Sequence, residues 1–194
     1  SLRSTAMTPP ATISREAALS VCASEAFATA LSSGGPYAGY AELVEAARSI
    51  WWRLPATEWL TAFAAHPKIG DRRGVADKPK AFGEFSRGEQ AAAAGSLSEV
   101  LASELADWNQ RYFDKFGFIF IICAKGKSSS EILAALKERY SRLPYQELPA
   151  AAREQMKITE LRLASAVEGA PPAGDAELQA RTQRRADQVA PGVE

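Results

Sequence analysis

The chain contains a single histidine, His66, and its position suits it to acid–base chemistry. His66 ends the apolar, helix-like stretch ATEWLTAFAAH and is followed at once by Pro67. Because a residue before proline is pushed away from helical dihedral angles, we expect His66 to lie where the backbone leaves the helix. An imidazole near a helix C-terminus is biased toward its protonated form, which is a good general acid. Taken alone, such a histidine is more often a core or capping residue, so both interpretations stay open.

A second group of polar residues, Ser86, Glu89 and Gln90, stands at the start of another predicted helix. Ser-x-x-Glu is the pattern of a capping box, and this pattern alone explains Ser86 and Glu89. Gln90 adds both a donor and an acceptor, and an exposed helix start is a ready site for an anion. The spacing leaves both a helix cap and a binding site open.

Two further features carry little information by themselves. Arg162, in ITELRLAS, is uninformative by itself, because its pattern also fits a surface arginine that pairs with Glu160 or with a residue one helical turn away. The run FIFIICAKGKSSSEIL imitates a phosphate-binding loop, in which backbone amides wrap the phosphates. Such a loop needs a glycine five residues before its Gly-Lys pair, and Ile121 occupies that position. A nucleotide-binding site is therefore disfavoured.

The elements that would position these residues are helices. Apolar residues recur at helical spacing over 14–33, which we interpret as one helix, and over 40–54. A third helix leads to His66, with Thr57 as its predicted N-cap. The apolar run FIFIICA fits a buried extended segment better than a helix, because it is short and rich in β-branched residues. The sequence thus predicts an all-α, multi-helix bundle with one short buried extended segment at about 118–124.

The composition bounds the function. At 194 residues and 46% apolar, the chain is expected to form one compact domain. Its 23 basic and 23 acidic side chains cancel, which argues against binding of nucleic acid or of an anionic membrane surface. No run approaches the roughly 18 apolar residues of a membrane span. Cys22 and Cys123 are predicted to be buried reduced thiols, and with a single histidine they cannot build a zinc site of the usual spacing.

In combination, four motifs resemble a known family. HPKIGD, SRGEQ, FGFIFIICAKGKSSSEILAALKERY and EQMKITELRL follow one another in the order and spacing of the OHCU decarboxylases, which act on 2-oxo-4-hydroxy-4-carboxy-5-ureidoimidazoline. The resemblance covers about 14–168 and is strongest to the plant and algal branch. Outside it, the composition favours a flexible N-terminus over 1–13, part of it an expression remnant before Met7, and a linker or disordered tail over 169–194.

The resemblance also assigns the site. It implies a catalytic role for His66 and Glu89. The substrate-binding positions that it implies are Pro67, Ser86, Gln90, Arg162 and the segment of Phe120, Ile121, Ile122, Cys123 and Ala124. No metal or cofactor is implied, so fixed donors must stabilise the charge left when carbon dioxide departs. His66 would then act as general acid and give (S)-allantoin.

The resemblance further implies a homodimer, in peroxisome or cytoplasm, since no targeting signal is legible in the chain. Members of the plant branch are often fused to a 5-hydroxyisourate hydrolase domain, which makes such a domain or protein an expected partner. The alternative is a catalytically silent helical module that binds a partner in purine degradation. The two differ in whether His66, Glu89 and Arg162 converge in the folded chain.

Overall fold

The structure is a computed structural model that describes residues 10–67 and 99–167. Seven helices lie within these ranges: α1 Arg15–Val21, α2 Glu25–Ser33, α3 Tyr40–Arg53, α4 Ala56–Ala64, α5 Glu99–Phe116, α6 Ser129–Tyr140 and α7 Pro144–Ala166. The same ranges contain no β-strand, only an isolated antiparallel bridge between Ala11 and Tyr37. The predicted all-α class is therefore confirmed. Among the described residues, no helix combines the length and apolar character needed to cross a bilayer.

Residues before α1 already pack against the rest of the chain. Ala11 and Tyr37 exchange two backbone hydrogen bonds of 3.0 and 2.9 Å, and both Ala11 and Ile13 are buried. The Tyr37 hydroxyl donates to the Leu31 carbonyl oxygen at 2.6 Å, which ties this bridge to α2. Packing therefore reaches back ahead of the boundary at residue 14 that the sequence suggests. The predicted tail over 169–194 lies outside the described residues.

The prediction of a single helix over 14–33 is wrong, because non-helical residues separate α1 from α2. Ser24 has extended dihedral angles and caps α2, since its hydroxyl oxygen accepts from the Phe27 N–H at 3.1 Å. The same hydroxyl donates to a Glu58 carboxylate oxygen at 2.6 Å. A serine that satisfies a helix start in this way favours two short helices over one continuous helix.

Helix α4 carries the chain to His66. It starts at Ala56 with Pro55 as N-cap, so the prediction of Thr57 as cap is wrong by two residues. Proline fixes φ near its value of −66° here and lacks an N–H, which suits it to the edge of a helix. At the other end, the His66 N–H donates to the Phe63 carbonyl at 3.0 Å. The chain leaves the helix there, as the following proline predicts.

Helices α1 and α3 both lie against α7. From α3, the fully buried Trp51 donates its indole N–H to the Ala152 carbonyl at 3.0 Å. Its ring meets Phe27 of α2 edge to face, with 6.3 Å between the ring centroids. A buried indole with a satisfied N–H is a strong anchor for such packing.

The predicted buried segment at 118–124 is confirmed. It follows Gly117, whose φ of +76° ends α5 in the left-handed region that favours glycine. It has neither helical nor strand structure, and Phe118, Phe120, Ile121 and Ile122 are buried. Since a buried backbone needs partners for its polar groups, side chains of α6 and α7 supply them.

Candidate active site

His66 contacts the buried face of α7. Its Nε2 lies 2.7 Å from Oε1 of Gln155, and the amide Nε2 of Gln155 donates to the Thr159 hydroxyl oxygen at 3.2 Å. Gln155, Thr159 and Arg162 are spaced by four and three residues, which places them on one side of the helix. Both Gln155 and Thr159 are buried. His66 therefore stands at one end of a polar row on α7.

Arg162 stands at the other end of this row. Its side chain is only 1% exposed, so the interpretation as a surface arginine is wrong. Glu160, its suggested partner, instead binds Arg48 of α3 through two hydrogen bonds of 2.6 and 2.9 Å. The Arg162 Nη1 lies 3.5 Å from the carbonyl oxygen of Val21, at the C-terminal end of α1. The position of this guanidinium is therefore set by the protein groups around it and not by water.

The row brings the His66 imidazole against the helix face that also carries the Arg162 guanidinium. Gln155 and Arg162 are seven residues apart, so their α-carbons are separated by about 10 Å along the helix axis. Arginine offers a planar set of donors to a small anion, and histidine changes its protonation state near neutral pH. This arrangement suits a site that holds an anionic substrate and transfers one proton.

Cys22 completes the environment of the row. It is fully buried, and burial raises the pKa of its thiol to about 12, although the Thr159 hydroxyl and the charge of Arg162 oppose the rise. The prediction of a buried reduced thiol is confirmed for Cys22, whereas Cys123 is half-buried. A thiol with this pKa is protonated at neutral pH, and only the thiolate is a good nucleophile.

We therefore expect Cys22 to resist alkylation while the chain is folded. Relative to an unfolded thiol with its ordinary pKa of 9.0, a value of about 12 lowers the thiolate fraction near pH 8 on the order of a thousandfold. The measurement is iodoacetamide labelling of a Cys123→Ser variant, followed by mass spectrometry. The same variant in urea is the control and should label fully. Equal labelling rates with and without urea would contradict this expectation.

The segment from Phe120 to Ala124 is anchored through its main chain. The Ile121 carbonyl accepts from Nη1 of Arg139 at 2.7 Å, and the Cys123 N–H donates to a Glu154 carboxylate oxygen at 2.8 Å. The Cys123 N–H, one of the backbone groups suggested for substrate binding, is thus engaged within the protein. Ile121 and Ile122 are buried, whereas Cys123 and Ala124 are half-buried.

Part of the predicted site lies outside the described residues. Ser86, Glu89 and Gln90 all belong to this part, so their distances to His66 are not described. Pro67 is buried directly after His66. Within 10–67 and 99–167, no group of three or more His, Cys, Asp or Glu side chains is arranged to hold a metal ion.

Two residues of the row, Gln155 and Thr159, were not among the candidates from the sequence. A signal for them exists in EQMKITELRL, because they share a helix face with Arg162 by spacing. That spacing becomes informative only once Arg162 is known to be buried. The contact between His66 and Gln155 joins positions 89 residues apart, which no local pattern reveals.

Comparison with known proteins gives consistent matches. Residues 9–164 match the family model described as OHCU decarboxylase. The Arabidopsis thaliana protein "Uric acid degradation bifunctional protein TTL" is 47% identical over 147 residues, which are 74% of this chain and 44% of that protein. The Amia calva protein "2-oxo-4-hydroxy-4-carboxy-5-ureidoimidazoline decarboxylase" is 34% identical over 70% of this chain and 77% of its own length. The chain thus spans less than half of the Arabidopsis relative.

Solved structures agree with these matches. A crystal structure of OHCU decarboxylase in the presence of (S)-allantoin has a TM-score of 0.66 and 44% identity, covering 76% of this chain and 94% of that one. A crystal structure of (S)-allantoin synthase has a TM-score of 0.60 over 78% of this chain and 49% of that one. At 22% identity, this second likeness shows the fold alone.

Proposed function

The chain belongs to the OHCU decarboxylase family, and from this premise we propose that it converts 2-oxo-4-hydroxy-4-carboxy-5-ureidoimidazoline to (S)-allantoin and carbon dioxide. The observation that carries the proposal is the polar row on α7, whose Gln155 contacts His66 and whose buried face also carries Arg162. A proton donor and a fixed cation are the two groups that a decarboxylation without a cofactor requires. The family relationship supplies the identity of the substrate.

The reaction can be written with these groups. The bond between the ring carbon and the carboxylate breaks, carbon dioxide leaves, and the electron pair stays on the ring carbon. The adjacent carbonyl delocalises this charge, and the Arg162 guanidinium stabilises the resulting anion. His66 then delivers a proton to one face of the ring carbon, forms the new C–H bond and becomes neutral. Because the site is chiral, one enantiomer is formed.

The remaining family positions complete the proposed site. Glu89 would hold His66 in its charged form or accept hydrogen bonds from the ureido N–H groups. An ionised carboxylate acts as an acceptor and never as a donor. Pro67, Ser86 and Gln90 would line the substrate. From the segment at 118–124, free backbone groups would bind ring or ureido oxygens and N–H groups. The hydrogen bond from Cys123 N–H to Glu154 removes that donor from the set.

The test is a direct assay of the chain on substrate generated freshly from urate. We expect optically active allantoin, followed by circular dichroism, to accumulate in proportion to protein concentration. The control omits the chain, because a planar carbanion in water is protonated on both faces and gives a racemic product. A folded chain that leaves the product racemic would refute the proposal and favour a catalytically silent helical module.

We also propose that the chain acts as a homodimer and works in peroxisome or cytoplasm beside a 5-hydroxyisourate hydrolase. Support for a linked activity comes from relatives in Arabidopsis thaliana and Bacillus subtilis, which are named bifunctional proteins of uric acid degradation. Sedimentation equilibrium measures the oligomeric state, and a monomer at micromolar concentration would contradict the first part. Imaging of the tagged full-length protein in its own cells tests the compartment.

A further inference from the structure

We propose that Gln155 is a positioning residue for the reaction, which fixes the ring of His66 by accepting a hydrogen bond from its Nε2–H. This inference deepens the proposed function and rests on it for the catalytic role of His66. The first support is geometric, since Oε1 of Gln155 lies 2.7 Å from Nε2 of His66. An amide oxygen can only accept, so this ring nitrogen must carry the hydrogen.

The direction of the Gln155 amide is itself fixed. Its Nε2 donates to the Thr159 hydroxyl oxygen at 3.2 Å. A hydroxyl oxygen has lone pairs to accept this bond, whereas the amide oxygen at the other end of the side chain faces His66. In this direction both polar ends of the Gln155 amide have a partner.

Because the row is buried, water cannot take the place of its hydrogen-bond partners. Gln155, Thr159 and Cys22 have exposures of 0%, 1% and 0%. Water therefore cannot replace the hydrogen bond to His66, and a buried amide oxygen without a partner is costly. Gln155, which is held by Thr159, thus fixes which nitrogen of the imidazole keeps its hydrogen. Since Nε2 keeps its hydrogen, the proton that His66 delivers to the substrate leaves from Nδ1.

The experiment uses the fact that the chain has one histidine. In a ¹⁵N-labelled sample its two ring nitrogens give the only imidazole signals, so no assignment is needed. We expect a slowly exchanging Nε2–H signal in the wild type, because its hydrogen bond ends on the fully buried Gln155. In Gln155→Met, which keeps the length of the side chain but lacks the acceptor, this signal should vanish. We expect kcat to fall about 10–100-fold with little change in KM, as for a misplaced catalytic group.

Two variants separate positioning from packing. Gln155→Glu keeps an acceptor oxygen toward His66, and the Thr159 hydroxyl can rotate to donate to it, so we expect the Nε2–H signal and part of kcat to return. Met156→Leu changes a neighbouring buried side chain of α7 at nearly constant volume and is expected to leave both unchanged. Should Gln155→Met fail to fold, Thr159→Val tests the same row, because it frees the amide to reverse.

The outcomes are distinct. The proposal is overturned if a folded Gln155→Met or Thr159→Val chain keeps the Nε2–H signal, or if kcat falls while that signal persists. It is also overturned if Gln155→Glu restores neither signal nor turnover. If the wild-type chain shows the protected signal but no decarboxylation, the hydrogen bond stands and the proposed function alone fails.

Discussion

Replacement of His66 by asparagine is expected to lower kcat about 10²–10⁴-fold, the usual contribution of a general acid. Asparagine is uncharged and cannot deliver a proton to a carbanion. It is also shorter than histidine, so its amide cannot keep the 2.7 Å contact with Gln155. The measurement is the rate of optically active allantoin formation by His66→Asn on freshly generated substrate. The unpaired Gln155 oxygen should cost about 1–3 kcal/mol of unfolding free energy, so thermal melts must accompany the assay.

The control for this prediction lies on α4, the helix that leads to His66. Thr61 is exposed on α4 and its hydroxyl donates only to the Thr57 carbonyl, at 2.9 Å, among the hydrogen bonds that the structure describes. Thr61→Ala is therefore expected to retain full turnover. A folded His66→Asn chain with wild-type kcat would contradict the assignment of His66 as general acid. Thermal melts of both variants distinguish a loss of chemistry from a loss of structure.

Breaking the buried ion pair of Arg139 and Glu147 is expected to destabilise the chain by about 3–5 kcal/mol, because the buried charge left behind loses its nearest opposite charge. Nε and Nη2 of Arg139 lie 2.7 and 2.5 Å from one carboxylate oxygen of the fully buried Glu147. Tyr112 donates its hydroxyl to the same oxygen at 2.5 Å, and burial together with this carboxylate raises the pKa of Tyr112. Urea unfolding of Arg139→Met and of Glu147→Leu measures the cost.

A double-mutant cycle decides whether the pair acts as a unit. The combined Arg139→Met and Glu147→Leu chain should be less destabilised than either single variant, since no buried charge remains. The matched control is Lys137→Met, also on α6, whose partner Glu104 lies 2.5 Å away at a half-exposed surface. That change should cost no more than about 1 kcal/mol. Additive single effects at Arg139 and Glu147 would show that the two charges do not stabilise each other.

Local patterns were sufficient for the helical class and for the buried segment at 118–124. Both predictions rest on neighbouring residues, namely the helical spacing of apolar residues and the short β-branched run that follows Gly117. His66 was likewise predicted to leave its helix because proline follows. Each of these predictions depends on interactions within a few residues.

Predictions that depend on distant partners were incomplete or wrong. The break between α1 and α2 depends partly on Glu58, which binds Ser24 from another helix. Arg162 has the pattern of a surface residue in the sequence, and only packing of α1 against α7 shows that it is buried. Arg139 and Glu147 also appear as ordinary surface charges until the fold brings them together. Charged side chains are rarely fully buried, so their pattern alone predicts exposure.

The way in which Arg139 and Glu154 hold the segment at 118–124 bears on how its sequence can diverge. Both side chains bind main-chain groups, the Ile121 carbonyl and the Cys123 N–H, which every non-proline residue possesses. Mutational drift among apolar residues at these positions can therefore proceed without loss of the anchoring hydrogen bonds. Selection should act instead on Arg139, Glu147 and Glu154, whose side chains have no main-chain substitute.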